Sequence, residues 1–156
     1  MRPLALALLT IALAVAPSAQ IDEGVIQAGG SATVALSPDF QLLLSPSVGY
    51  FVTPKVEVGA NPTVATDFKD TFAYLTAFGA YYPTGGTARA TYPFVGASFG
   101  ASLTDDVGLA IGARAGVQHF VSESAALSVA LNALTTEDFD DASVSLNAGF
   151  SIFLQP

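Results

Sequence analysis

The chain has no cysteine and no tryptophan, a single histidine, and few charges: only 12 % of its 156 residues are Asp, Glu, Lys or Arg. Without cysteine there is no disulfide and no thiol chemistry. With one histidine and no clustered Cys/His spacing, no metal centre is predicted. No glycine-rich phosphate loop occurs, and no nucleophile has a placed base, so no cofactor is expected. Five basic residues stand against thirteen acidic ones. That balance argues against a nucleic-acid or anionic-lipid partner. Beyond the first sixteen residues there is no long apolar run and no segment of helical period.

The start of the chain is a separate piece. Met1-Arg2 precedes Leu4 to Ala16, thirteen residues in which only Thr10 is polar. Ala16, Pro17, Ser18 and Ala19 follow. One positive charge, a short apolar stretch and a small-residue exit make a secretory signal peptide, removed after Ser18 or Ala19. The run is too short for a membrane-spanning helix. Residues 1–19 are therefore predicted to be cleaved and residues 20–156 to form one domain. That domain carries four basic and thirteen acidic residues, a charge of −9.

What the remainder does contain is alternation. From Phe40, one parity reads Phe40, Leu42, Leu44, Pro46, Val48, Tyr50, Val52, and the other Gln41, Leu43, Ser45, Ser47, Gly49, Phe51. Thr53-Pro54-Lys55 interrupts. Then Val56, Val58, Ala60, Pro62 and Val64 alternate with Glu57, Gly59, Asn61 and Thr63. This period of two marks a β-hairpin. Further period-two segments run over 25–36, 71–82, 91–103, 107–121, 124–134 and 142–154. Eight strands of about 11 to 15 residues result; a tilted membrane strand needs about 9 to 11, whereas soluble strands run about 5 to 6.

The charges choose between a soluble and a membrane-embedded sheet. Within strands, away from the ends, only Glu57 and Arg114 are charged, and both lie on the small or polar parity. A face washed by water would carry Lys, Glu and Arg along its length. Gly, Ser, Ala, Asn and Gln suit a narrow barrel interior instead. The apolar parity then meets lipid, and closure removes edges that no bilayer tolerates. The predicted fold is all-β: an eight-stranded antiparallel up-and-down transmembrane β-barrel.

The mature chain resembles the small outer-membrane β-barrel family, the OmpA/OmpX-like eight-stranded barrels. The resemblance rests on SPSVGYFVTPKVEVG (45–59), AFGAYYP (77–83), YPFVGASFGAS (92–102), GARAGVQHFVSESAALSVAL (112–131) and VSLNAGFSIFL (144–154). One departure stands at the end, where Leu154 replaces the family's terminal aromatic and Gln155-Pro156 follow. The resemblance implies location in the outer membrane of a Gram-negative-type envelope, with both chain ends in the periplasm. It implies outer-membrane lipid and the barrel-assembly machinery as partners, and a monomer. The outer loops then carry Asp67, Asp70, Asp105, Asp106, Glu137, Asp138, Asp140 and Asp141, an acidic rim that solvates the barrel end. Glu137 to Asp141 matches no calcium-loop spacing.

Two interior and three outer positions stand out. Glu57 and Arg114 should both point inward and pair, directly or through water, because an unpaired interior charge is expensive. Tyr50, Tyr82 and His119 are expected outward, as girdle residues near the periplasmic turns. The function expected is structural or surface-interacting, without catalysis. The alternatives are a narrow porin-like pore, a lipid A-modifying enzyme, or a secreted soluble ligand-binding barrel.

Overall fold

The computed structural model describes residues 19–35, 41–66, 71–102, 108–136 and 142–156. The predicted signal peptide up to Ser18 lies outside these residues, as do the loop acids Asp67, Asp70, Asp105, Asp106, Glu137, Asp138, Asp140 and Asp141.

Eight strands follow in chain order: β1 (Ile26–Ala35), β2 (Gln41–Thr53), β3 (Val56–Thr66), β4 (Thr71–Tyr81), β5 (Thr91–Ser102), β6 (Leu109–Ser122), β7 (Ala125–Thr136) and β8 (Ala142–Leu154). Each pairs antiparallel with the next, and β8 closes on β1 from Ile26↔Leu154 to Ala32↔Ala148. The sheet is therefore a closed up-and-down barrel with no free edge. One end, the turn end, carries the connections 54–55, 82–90 and 123–124, the segment 19–25 and the last residues of the chain; the opposite end is the loop end.

The turns have local causes. Pro54 offers no N–H to continue the ladder. Thr53 Oγ1 accepts from the N–H groups of Lys55 (3.2 Å) and Val56 (3.1 Å), which tightens the reversal. A bulge between Phe51 and Thr53 shifts the register by one. That shift keeps Phe51 opposite Glu57 and so keeps both on one face. The longer connection 82–90 is tied back by hydrogen bonds from Tyr82 N–H to the Lys55 carbonyl and from Gly86 N–H to the Ile21 carbonyl.

The two parities separate as a barrel requires. Outward residues are apolar and exposed, including Val144 at 74 % and Leu146 at 64 %. Inward, large buried side chains gather near the turn end, while Ser, Thr and Asn line the loop half. The segment before β1 adds to the turn-end core. Ala19 pairs with Arg89 in both directions at 3.1 and 3.0 Å. Gly24 then reverses the chain at φ +87°, a left-handed conformation suited to glycine. Ile21 and Val25 are fully buried on either side of this reversal.

Candidate functional site: the barrel interior

The floor of the interior is aromatic. Phe51 lies 5.3 Å from Tyr82 and 6.3 Å from Phe153 between ring centroids. Phe153 in turn stacks at 4.7 Å on Phe120, which meets Tyr92 edge-on at 5.6 Å. Tyr82 also lies 5.5 Å from Phe94. These spacings fall in the favourable range for tilted aromatic pairs. The Tyr92 hydroxyl sits 2.6 Å from the Ala19 carbonyl and 2.7 Å from that of Thr87. It thereby ties the chain's first described residues to the floor. The turn end is filled by rings from β2, β5, β6 and β8, by Tyr82 just beyond β4, and by the leading segment.

Glu57 and Arg114 lie on this floor. Glu57 is 0 % exposed, and its Oε2 accepts a hydrogen bond from the Tyr82 hydroxyl at 3.0 Å. Arg114 Nη2 approaches the same oxygen at 3.8 Å. The guanidinium carbon stands 4.1 Å from the Phe78 ring centroid and 5.4 Å from that of Phe94. The cation thus has a carboxylate on one side and two aromatic faces on others. Coulomb attraction and cation–π contact together hold it at the base of the cavity.

The carboxylate fits only because its neighbour is glycine. A Cβ at Gly49 would stand 1.9 Å from Glu57 Oε1 and 3.0 Å from Cγ. Gly49→Ala is therefore expected to push the carboxylate off its partners and destabilise the barrel by about 1–3 kcal/mol. Gly79→Ala is the control, since its Cβ would meet nothing closer than 3.9 Å. Circular-dichroism melts of both in detergent check this; equal melting temperatures would mean that Glu57 is not confined there.

One sequence expectation is corrected. Tyr82 is not an outward girdle residue: it is 2 % exposed and points into the barrel. Register explains why. Glu57 pairs with Ala80, and directly paired residues share a face. Ala80 must therefore point inward, and Phe78 and Tyr82 with it. The outward aromatic at this place is Tyr81, 46 % exposed. Tyr50 stands outward at 47 %. His119 is also on the outer parity, with Nδ1 2.8 Å from Thr91 Oγ1 on the paired strand.

Above the floor the interior opens. A cavity of about 800 Å³ is lined by hydroxyl and amide side chains from all eight strands. Ser45, Asn61, Thr76, Ser98, Asn132 and Asn147 represent them. Several bond across the lumen wall: Thr33 to Asn147, Thr76 to Asn61, and Gln27 Nε2 to Ser151 Oγ at 2.9 Å. Gln118 is 1 % exposed and its Oε1 has no partner; Gln27 Oε1 is likewise unpaired. The cavity is thus rich in hydroxyl and amide groups and nearly uncharged, with Arg114, at its base, the one basic lining residue among the described residues. Sequence reasoning placed small polar residues inside but missed both the aromatic floor and the hollow above it.

No protein-family model matches the chain, and no curated protein matches it by sequence. Solved structures do. The N-terminal β-barrel domain of Pseudomonas aeruginosa OprF matches with a TM-score of 0.69 at 15 % identity, over 85 % of this chain and 98 % of that one. Neisserial surface protein A matches with a TM-score of 0.61 at 17 % identity, over 82 % and 95 %. A de novo designed transmembrane β-barrel matches with a TM-score of 0.66 at 14 % identity, over 86 % and 99 %. Likeness at this identity establishes the fold: the chain is a closed eight-stranded antiparallel barrel of the transmembrane type.

Proposed function

We propose that this is an integral outer-membrane barrel with a structural or surface-interaction role, no catalysis and no through-going pore. The observation that carries the reading is the pairing of an apolar, exposed outer face with an interior sealed at one end by six packed aromatic rings. An exposed apolar surface of this extent needs lipid against it. The sealed floor favours a closed lumen over a conduit. The place of half-buried His119 on the outer parity, with Thr91 as its partner, supports a girdle position rather than a general base.

The same reading assigns the barrel-assembly machinery to its insertion, a monomer as its state, and periplasmic placement to the turn end. Export by the leader belongs to it as well. The two-way bonding of Ala19 with Arg89 supports cleavage after Ser18, since a cut one residue later would remove Ala19. Single-channel recording in planar bilayers tests the closed lumen. No current steps are expected from the intact chain. A steady, reproducible conductance would overturn the closed-lumen reading and leave the narrow pore.

A further inference from the structure

One stretch of the cavity wall has a shape of its own. Along it β6, β7 and β8 meet through continuous ladders. The β6–β7 register sets Gln118 beside Ser128, Gly116 beside Ala130 and Arg114 beside Asn132. Across β7, Ser128 stands beside Gly149, Ala130 beside Asn147 and Asn132 beside Ser145. Directly paired residues share a face, and Arg114 marks that face as the inner one. All of these residues except Gly116 line the cavity.

Together they form a dish. Its low, apolar centre is half-buried Ala130, flanked by Gly116 and, diagonally, by Gly149. A Cβ at Gly116 would stand 2.8 Å from that of Ala130, and one at Gly149 would stand 2.7 Å from Ser128 Oγ. Glycine at both places leaves the Ala130 methyl uncovered. The rim is polar, with Arg114 and Asn132 toward the loop end, Gln118 and Ser128 toward the turn end, and Asn147 on β8. From Ser128 to Asn132 the dish is about 14 Å long, and from β6 to β8 it is about 10 Å wide. That is room for one six-membered ring with its hydroxyl groups. The cavity of about 800 Å³ also falls within the range of small-molecule sites, about 300–1,000 Å³.

The rim needs both a donor and an acceptor. Gln118 Oε1 and Arg114 Nε are buried without a partner, the first an acceptor and the second a donor. Ser128, Asn132 and Asn147 are half-buried, and their hydroxyl and amide groups donate and accept. Charge narrows the class further. Arg114 already has the Glu57 carboxylate 3.8 Å away, so an anion on the guanidinium would be repelled from behind. No acidic residue lines the cavity among the described residues, so a cation finds no counter-charge there. The aromatic floor closes the turn end, whereas inward Ser45 and Asn61 farther up are half-buried, which leaves the loop end as the way in.

We propose that the β6–β8 wall of the lumen binds one neutral polyol the size of a monosaccharide. Its C–H face lies on Ala130, and its hydroxyls meet Arg114, Asn132, Gln118, Ser128 and Asn147. A hydroxyl accepts from the guanidinium and donates to the Gln118 carbonyl with the same oxygen, and several on one ring reach the whole rim. Water makes the same hydrogen bonds but leaves the apolar centre wet, whereas a ring covers it. This inference rests on the membrane-barrel reading, in which this parity faces a lumen.

The test uses the full mature chain folded in dodecylphosphocholine micelles, a detergent without a sugar head. The probes are D-glucose, D-galactose, D-mannose and myo-inositol, each added alone. Saturation-transfer difference NMR should show transfer from the folded protein to the ring protons of at least one of them. With isotope-labelled alanine methyls, the same sample should show contacts between that probe and the Ala130 methyl. Ser128→Ala with Asn132→Leu strips hydrogen-bonding groups from both ends of the dish and should weaken binding by about tenfold or more. Leu131→Ala changes only the outward face of the same strand and should bind as the wild type does. No transfer to any probe from the folded wild type means that the dish holds water alone, and this overturns the site while the membrane-barrel reading stands. Transfer without contacts at Ala130 overturns it too, as does equal binding by the wild type and the double variant. If the double variant does not fold, the Ala130 contacts decide. Folding is scored on the same samples by the gel shift on boiling, and a wild type without that shift overturns both.

Discussion

Replacing Arg114 with methionine is expected to destabilise the folded barrel by about 3–5 kcal/mol, because it leaves a buried charge without its partner. Glu57 is fully buried, and Arg114 Nη2 is the cationic group beside it, at 3.8 Å. The Tyr82 hydroxyl remains as a donor but brings no charge. The double variant Arg114→Met with Glu57→Gln removes both charges and should recover most of the loss. Glu57→Gln alone should cost less than Arg114→Met, since Arg114 is still 23 % exposed in its side chain and keeps Phe78 and Phe94 against it. Urea titrations of the barrel in detergent or vesicles measure all three. If the single and double variants lose the same stability, the two charges are not coupled.

Phe51→Ala should be as damaging, by about 3–5 kcal/mol, through loss of packing rather than charge. Phe51 is fully buried and joins the Tyr82–Phe94 half of the floor to the Phe153–Phe120 half. Its backbone also exchanges hydrogen bonds with the leading segment, from Gly24 N–H and to the Val25 carbonyl, both at 2.9 Å. Those backbone bonds survive the substitution, so the barrel should still close and the loss should show as a lower midpoint. Val52→Ala, next to it and outward, removes a smaller side chain from the exposed face and is expected to cost far less. Equal midpoints for the two variants would mean that the rings do not hold the floor.

The strands themselves were legible. The period-two segment 142–154 coincides with β8, and the others end within two residues of their strands. Charge placement identified the inner face through Glu57 and Arg114. The hairpin's bulge was not drawn from its alternation, although the residues carry it. With Phe51 and Glu57 both inward, a two-residue turn at Pro54-Lys55 needs one extra residue to keep faces matched. Carrying that register forward would have turned Ala80 and hence Tyr82 inward. Reading β4 as an isolated segment, apolar on both parities near its end, lost this information.

The aromatic floor was hidden for a different reason. Phe51, Tyr92, Phe94, Phe120 and Phe153 share a parity with Ser, Gly and Asn in their strands. Parity reports the face averaged over a strand, whereas the interior changes character with depth. Only pairing of all eight strands brings their turn-end positions to one level. The segment 19–25 has no periodicity to detect, because its role is a cap rather than a strand.

The most direct test of the central claim is a gel of isolated outer-membrane fractions, comparing boiled with unboiled detergent samples. A closed barrel with its apolar parity outward stays folded until boiled. The expected result is that the protein is found in that fraction and migrates differently before and after boiling. Recovery in the soluble periplasm or the medium, with no shift on boiling, would contradict it, because the exposed belt at Val144 and Leu146 would then have no lipid to cover it.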